Sequence, residues 1–174
     1  MNVFGNMKIV DFPEESLSAI VKWRNDSDVN KYLRPAYRTL EDVQQWYRGY
    51  FSSHGNRLFG IRRDDALIGY CTIEAVERAN NKCEVGIVIG EKAHWRRGIG
   101  RAVGGQLLKK AFADLGMHRV EAIIQGDNLA SIRCFSRIGF RLDGRLRDAK
   151  FRDGRYVDLL VYSILREEWD GAQA

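Results

Sequence analysis

The chain has 174 residues, a formal net charge of +5 and 45% hydrophobic residues, which suits a single domain over residues 1–174 with a core that needs no staples. Its three cysteines, Cys71, Cys83 and Cys134, form no CxxC pair and sit in apolar or amphipathic runs, so they read as reduced core thiols and argue against a disulfide-built secreted protein. No apolar run approaches the ~18 residues of a membrane span and the first residues carry no signal-peptide pattern, so a cytoplasmic protein with no membrane partner is the expectation.

Met7–Phe12 reads as a short strand, and Glu15–Asn25 as a helix with Leu17, Ile20, Val21 and the stem of Arg24 at helical spacing. The stretch from Asn25 to Thr39 is irregular, a loop or short helix beside a mouth. Thr39 followed three residues later by Asp42 is an acidic form of the capping box, opening a helix through Gln45, Trp46 and Tyr50. Arg57–Arg62 and Ala66–Val76 read as strands joined by the polar turn Arg63-Asp64-Asp65, and Lys82–Ile89 follows the turn at Asn80-Asn81. Such short joins make these three an antiparallel meander. Gly98–Leu115 is helical, with Ile99, Ala102, Val103, Leu107, Leu108, Ala111 and Phe112 as its apolar stripe and Gly116 to end it. Arg119–Gln125 is a strand long enough removed to lie parallel to Lys82–Ile89, and Asn128–Ile138 is a short helix ended by Gly139. Phe140–Leu146 and Tyr156–Leu165 close the chain as antiparallel strands around a loop at Asp153-Gly154. The class is α/β (mixed α+β), a mostly antiparallel mixed sheet of six to seven strands with helices on both faces.

The chemistry concentrates in Glu84–Arg101, EVGIVIGEKAHWRRGIGR. A strand runs into a loop, and the loop opens a long helix at glycines 98 and 100. A helix N-terminus has four N–H groups without intrahelical partners and about half a positive charge, a combination that binds phosphate or diphosphate. Arg96, Arg97 and Arg101 add charge. Neither a dinucleotide fingerprint nor a P-loop fits, because position 103 is Val and no Gly-Lys-Ser/Thr follows. The residues alone also allow a helix start whose glycines merely pack tightly. Further on, Arg133, Arg137, Arg141, Arg145, Arg147, Lys150, Arg152 and Arg155 outnumber Asp143, Asp148 and Asp153. That excess suits a solvated face, a phosphorylated cofactor or an acidic substrate; it lacks the aromatic interleaving of a nucleic-acid surface, so no nucleic-acid partner is expected.

Trp95-Arg96-Arg97-Gly98-Ile99-Gly100 resembles the acyl-CoA loop of the GNAT superfamily of acetyl-CoA-dependent N-acetyltransferases, Q/R-x-x-G-x-G/A. Trp95 in place of Gln or Arg is similar to the branch that includes the ribosomal-protein N-terminal acetyltransferases. Asn128-Leu129-Ala130-Ser131, followed by Arg137-Ile138-Gly139-Phe140, resembles the second family signature. Trp23–Asp26, Phe151–Asp158 and Ser163–Trp169 resemble the same branch, so the likeness spans nearly the whole chain in order.

The resemblance implies a GNAT fold in which Lys82–Ile89 splays from Arg119–Gln125 and the freed backbone pairs with the pantetheine arm. It implies acetyl-CoA as donor, with Val88, Ile89, Gly90, Trp95, Arg96, Arg97, Gly98, Ile99, Gly100, Arg101 and Asn128 as cofactor-binding residues; His54, His94 and His118 have no ligand spacing, so no metal is expected. The amine acceptor attacks directly in a ternary complex. An alkyl amine with a pKa near ~10 is protonated at neutral pH, so a base helps; Glu84 is the first candidate, Glu74 the second or a binder of the cationic substrate. A backbone N–H near Val88 to Gly90 would hold the oxyanion. Phe135 stands where many relatives have the thiolate-protonating Tyr, leaving Ser131 as the substitute. Tyr32 and Arg145 are expected at the acceptor. With Arg34, Arg38 and Arg152 nearby, an amino sugar (nucleotide-linked included) or a protein N-terminal amine is preferred over a polyamine. A non-catalytic acyl-CoA sensor is the alternative of another class, and a homodimer is compatible with the resemblance.

Overall fold

The computed structural model describes residues 6–33, 39–51 and 55–173; Arg34, Tyr37, Arg38 and His54 lie outside the described residues. A seven-stranded sheet carries the fold: β1 (Met7–Asp11), β2 (Arg57–Arg63), β3 (Ala66–Glu77), β4 (Lys82–Ile89), β5 (Arg119–Gln125), β6 (Arg141–Arg152) and β7 (Arg155–Leu165), in the order β1-β2-β3-β4-β5-β7-β6. All neighbours are antiparallel except β4 and β5. The edge strand β1 is held from outside by Gln106, whose amide accepts from Ile9 N–H (3.0 Å) and donates to Met7 O (3.2 Å), covering backbone groups an edge would otherwise expose.

Helices α1 (Leu17–Asn25), α2 (Ser27–Asn30) and α3 (Leu40–Trp46) lie on one face. The expected capping box of α3 is present, with Thr39 Oγ1 accepting from Asp42 N–H and Asp42 Oδ2 accepting from Thr39 N–H. Beyond Trp46 the helix widens to a π-helical turn over Tyr47–Phe51. In α1 the third buried position is Trp23, not Arg24, beside Leu17 and Ile20. The irregular stretch contains α2, capped by the Asp26 carboxylate.

The other face carries α4 (Ile99–Lys109) and α5 (Leu129–Ile138), with α6 (Arg166–Gln173) at the C-terminal end. Their apolar residues and the sheet form the larger core, including Val103, Leu107, Leu108, Phe112, Val120, Ile124, Phe135 and Tyr162. A smaller core under α1–α3 holds Phe12, Leu17, Ile20, Trp23, Val43 and Tyr70. One expectation needs correction. The basic stretch Arg145–Arg155 is not a loop: β6 continues to Arg152, with Asp153 (φ 48°) and Gly154 (φ 78°) as a two-residue hairpin turn. Bulges at Leu142/Gly144 and Leu146/Lys150 break its alternation, and its outward charged residues mask the strand pattern. The C-terminal α6 has no counterpart among the expected elements, because its Glu167 and Glu168 follow a strand without any break; Arg166 seats it by donating to Met117 O and Phe112 O.

Candidate active site

The parallel pair is short. Lys82, Cys83 and Glu84 lie beside Arg119, Val120 and Glu121, and there the pairing stops. From Val85 onward β4 keeps only β3, while β5 is paired on its other side by β7. A wedge therefore opens toward the C-terminal ends of both strands. Gly90 N–H donates to Ile68 O at 2.9 Å, which sets the phase of the β3–β4 ladder. Antiparallel residues alternate between bonding inward and outward, so the amides of Val88 and Gly86 face β3 and those of Ile87 and Ile89 face the wedge. This corrects the expected oxyanion stretch: Val88 and Gly90 have their N–H groups directed at β3, and Ile89 is the one of the three directed into the opening.

Both helices that follow these strands begin at the mouth of the wedge, and they differ. The start of α5 is capped by its own side chain, with Asn128 Oδ1 accepting from Ser131 N–H at 3.2 Å; Asn128 thus has a structural task, which engages only its Oδ1. The start of α4 has Gly98 at its N-cap, with no side chain folded over it. Arg96 (φ 60°) and Gly98 (φ 74°) are both left-handed around Arg97, a backbone pattern that turns successive N–H groups into one concavity and attracts anions. Gly100 serves a different end, since a Cβ there would lie 2.6 Å from Cys134 Sγ. Gly104 lets α5 approach in the same way, with Ile138 Cδ1 2.3 Å from a Cβ. Hence the tight-packing reading holds at Gly100 and Gly104, while Gly98 forms the open start of the helix. Trp95 remains exposed, its indole held by donating to Ile89 O at 2.8 Å, and His94 faces Arg63 (3.3 Å).

At the apex, β3, β4 and β5 present a carboxylate each to the α1–α3 face. Glu74 is opposite Glu84 and Glu84 is beside Glu121, while the intervening Ile73, Val85, Val120 and Ala122 enter the core on the other face. Adjacent strands are about 4.8 Å apart, so the row is continuous. Ala75, at φ 48°, begins the bulge between Glu74 and Glu77 and ends the row on that side; bulges re-aim neighbouring side chains. On the other side Arg119 bonds Glu121 (2.7 Å) and pairs with Asp143. Gly86, two residues from Glu84 on the same face, has no side chain of its own, and a Cβ there would lie 2.9 Å from Thr72 Oγ1.

The expected residues separate into groups. Glu84 and Glu74 are together. Ser131 lies in the first turn of α5, past the C-terminal end of β5, whereas Glu84 is level with Glu121; four strand residues, about 13 Å, divide those levels. Tyr32 sits at the mouth, its hydroxyl donating to Asp127 O (3.2 Å) and its carbonyl accepting from Gln125 Nε2 (2.9 Å). Arg145 is a correction: its partner in register is Leu160, a residue packed on the α4–α5 core, and its guanidinium pairs with Asp158. It therefore lies on the face opposite Glu84, in a cavity of about 490 Å³ with Asp127, Asp148 and Arg155. Arg152 instead clamps the α2 end, donating to Leu33 O (2.8 Å) and Asn30 O (3.0 Å).

Sequence reasoning missed the links between the mouth and α1–α2. Glu91 accepts from Lys22 (2.6 Å) and Trp23 Nε1 (2.8 Å), and the Lys22 ammonium, then the indole N–H, holds its carboxyl below the usual range. Lys92 pairs with Asp26 and Asp28 at 2.8 and 2.9 Å. No spacing announces contacts across 60 or more residues. Burial raises the thiol of Cys134 above its ordinary value, so it is a poor nucleophile.

A splayed parallel pair, an uncapped glycine helix start at its mouth and carboxylates at its apex define an acyltransferase cleft. A family model described as an acetyltransferase (GNAT) domain matches residues 7–141, and the chain belongs to that family as an N-acetyltransferase. It is 29% identical over 163 residues to the "Uncharacterized N-acetyltransferase p20" of Bacillus licheniformis, covering 90% of this chain and 91% of the relative. It is 31% identical over 129 residues to the "Putative ribosomal N-acetyltransferase YdaF" of Bacillus subtilis (strain 168), covering 74% and 69% respectively. Among solved structures, the spermidine N-acetyltransferase of Vibrio cholerae in complex with CoA and spermine superposes with a TM-score of 0.86 at 20% identity, covering 94% of this chain and 97% of that one. At that identity the likeness speaks for the fold.

Proposed function

We propose that the protein transfers the acetyl group of acetyl-CoA to the N-terminal amine of a protein or peptide, in one step within a ternary complex. The observation that carries this is the carboxylate row Glu74–Glu84–Glu121 at the apex of a wedge whose mouth is an open helix start. The backbone of Arg96–Arg101 and the three arginines there would bind the diphosphate, and the wedge-facing amides of Ile87 and Ile89 the pantetheine or the oxyanion. Glu84 would take the amine's proton as the new C–N bond forms and the C–S bond breaks; the electron pair leaves on sulfur, a fair leaving group at a thiol pKa of about 8.5. Ser131 hydroxyl is the candidate donor to that thiolate. The raised thiol of Cys134 supports direct transfer over an acyl-cysteine.

Arg145 is paired on the far face, so it gives no support to a phosphate-bearing amino sugar. The same pairing weakens the repulsion argument against polycations, and a row of carboxylates suits them; a polyamine is the second reading. A panel of N-terminal peptides, amino sugars and spermidine, followed by CoA release, tests these readings. Peptide turnover exceeding the others is expected. Turnover of spermidine alone would overturn the first reading in favour of the second.

A further inference from the structure

The half of the sheet beyond the wedge, β5–β7–β6, has unequal faces. Toward α4 and α5 its side chains are core: Val120, Ala122, Ile124, Tyr162 and Ile164. Toward the α1–α3 side the same strands present Ile123, Val161, Leu159 and Leu146, none of which enters either core cluster among the described residues. Ile123 is 38% and Leu146 50% exposed. Strand register makes them one patch, with Ile123 beside Val161 and Leu159 beside Leu146. Gly144, next to Val161 in register, would meet no heavy atom within 4 Å of an added Cβ, so that flank of Val161 is open.

This patch adjoins the carboxylate row. Ile123 is two residues, about 7 Å, along β5 from Glu121, on the same face. The segment at Asn30–Leu33 closes the other end, tied to Gln125 and Arg152. The surface thus runs from negative charge to exposed aliphatics and then to a wall, the complement of an ammonium followed by apolar side chains. Four aliphatic residues are too few for a stable dimer, which takes about 20–30 residues a side, so a second copy of the chain fits the patch less well.

We propose that this face is the acceptor-specificity surface: a peptide N-terminus places its ammonium on Glu74–Glu84–Glu121 and its first, apolar side chains on Ile123, Val161 and Leu146. The proposal rests on the peptide-amine reading above and adds which peptides are chosen. Burying a Leu or Val side chain changes an equilibrium about tenfold or more, so the wild-type enzyme should acetylate a peptide beginning Leu-Val with a kcat/KM about tenfold above that of one beginning Ser-Asn.

The test compares these two peptides and spermidine on wild type and on the double variant Ile123→Asn, Leu146→Asn. In the variant the peptide preference should fall to about threefold or less, while the acetyl-CoA KM and melting temperature stay at wild-type values. Equal use of both peptides by the wild type overturns the proposal and leaves the peptide reading standing, as does a preference that survives in the variant. A variant whose sedimentation changes from dimer to monomer with its preference intact marks the face as a self-interface and also overturns it. If spermidine is acetylated and neither peptide is, both readings fall together. Should the variant fail to fold, the single substitution Leu146→Asn, at the more exposed position, is read in the same way.

Discussion

A Cβ on Gly90 would lie 2.2 Å from Cδ2 of Trp23, so the end of β4 and the helix that roofs it meet with no room for a methyl group. Trp23 is itself buried, and its indole N–H is fixed by Glu91, one residue beyond Gly90. The loop that leads to the candidate diphosphate site is therefore positioned by α1. Gly90→Ala should lower stability by about 1–3 kcal/mol through overpacking and raise the KM for acetyl-CoA more than that for the acceptor. Urea unfolding and steady-state kinetics check this. A stable variant with an unchanged acetyl-CoA KM would show that the loop does not depend on this contact.

Gly100 offers a cleaner test, because its conflict is with a single atom. A Cβ there would stand 2.6 Å from Cys134 Sγ and 4.0 Å from Cys134 Cβ. Gly100→Ala should destabilise by about 1–3 kcal/mol. Removing the sulfur with Cys134→Ala should restore most of that loss, leaving a favourable coupling of about 1 kcal/mol or more in the double-mutant cycle. Additive effects of the two substitutions would mean that the approach of α5 is not what excludes a side chain at Gly100.

Much of this was legible in the sequence because local rules carried it. Thr39 and Asp42 fixed a cap, Gly139 ended α5, and the Trp95–Gly100 motif located the mouth. The carboxylate row was half legible: Glu74 and Glu84 could be named, but Glu121 joins them only through the register of a parallel pair distant in sequence. Likewise, Arg145 looked available in a basic run, and only a bulge count along β6 assigns it to the far face beside Asp158. The β6 extension hid because an outward, charged edge strand has no apolar alternation to read. Face and register are set by long-range pairing, and a single sequence encodes them weakly.

Glu84 occupies the centre of the row, with a neighbour on each side. Glu84→Gln keeps shape and removes the proton acceptor. The expected result is a fall in kcat of about 10²–10⁴ with the dissociation constant for acetyl-CoA unchanged. Glu121→Gln, whose carboxylate is already bonded by Arg119, should lose less kcat than Glu84→Gln does. Equal losses in both variants would move the base elsewhere.

The two deeply buried thiols make a stability prediction at high pH. Cys71 is fully buried and Cys83 nearly so. Burial, and then the Glu121 and Glu84 carboxylates beside it, push the Cys83 thiol up to about 12 from 9.0, and burial raises Cys71 as well. Both must stay protonated in the folded chain, while the unfolded chain can lose those protons above pH 9. Above that pH the unfolded state binds fewer protons than the native state, so stability falls as pH rises, by up to about 1.4 kcal/mol per pH unit for each thiol. Below the unfolded value the contribution is fully present; for Cys83 the loss runs across the window from 9 to about 12. Lysines and tyrosines titrate in the same range, so the informative quantity is a difference. Urea unfolding at pH 8 and pH 10 should show a smaller stability loss in Cys83→Ala than in the wild type, even though the variant is less stable at pH 8. Parallel losses in the two proteins would mean that Cys83 ionises as readily folded as unfolded, which burial against two carboxylates does not allow.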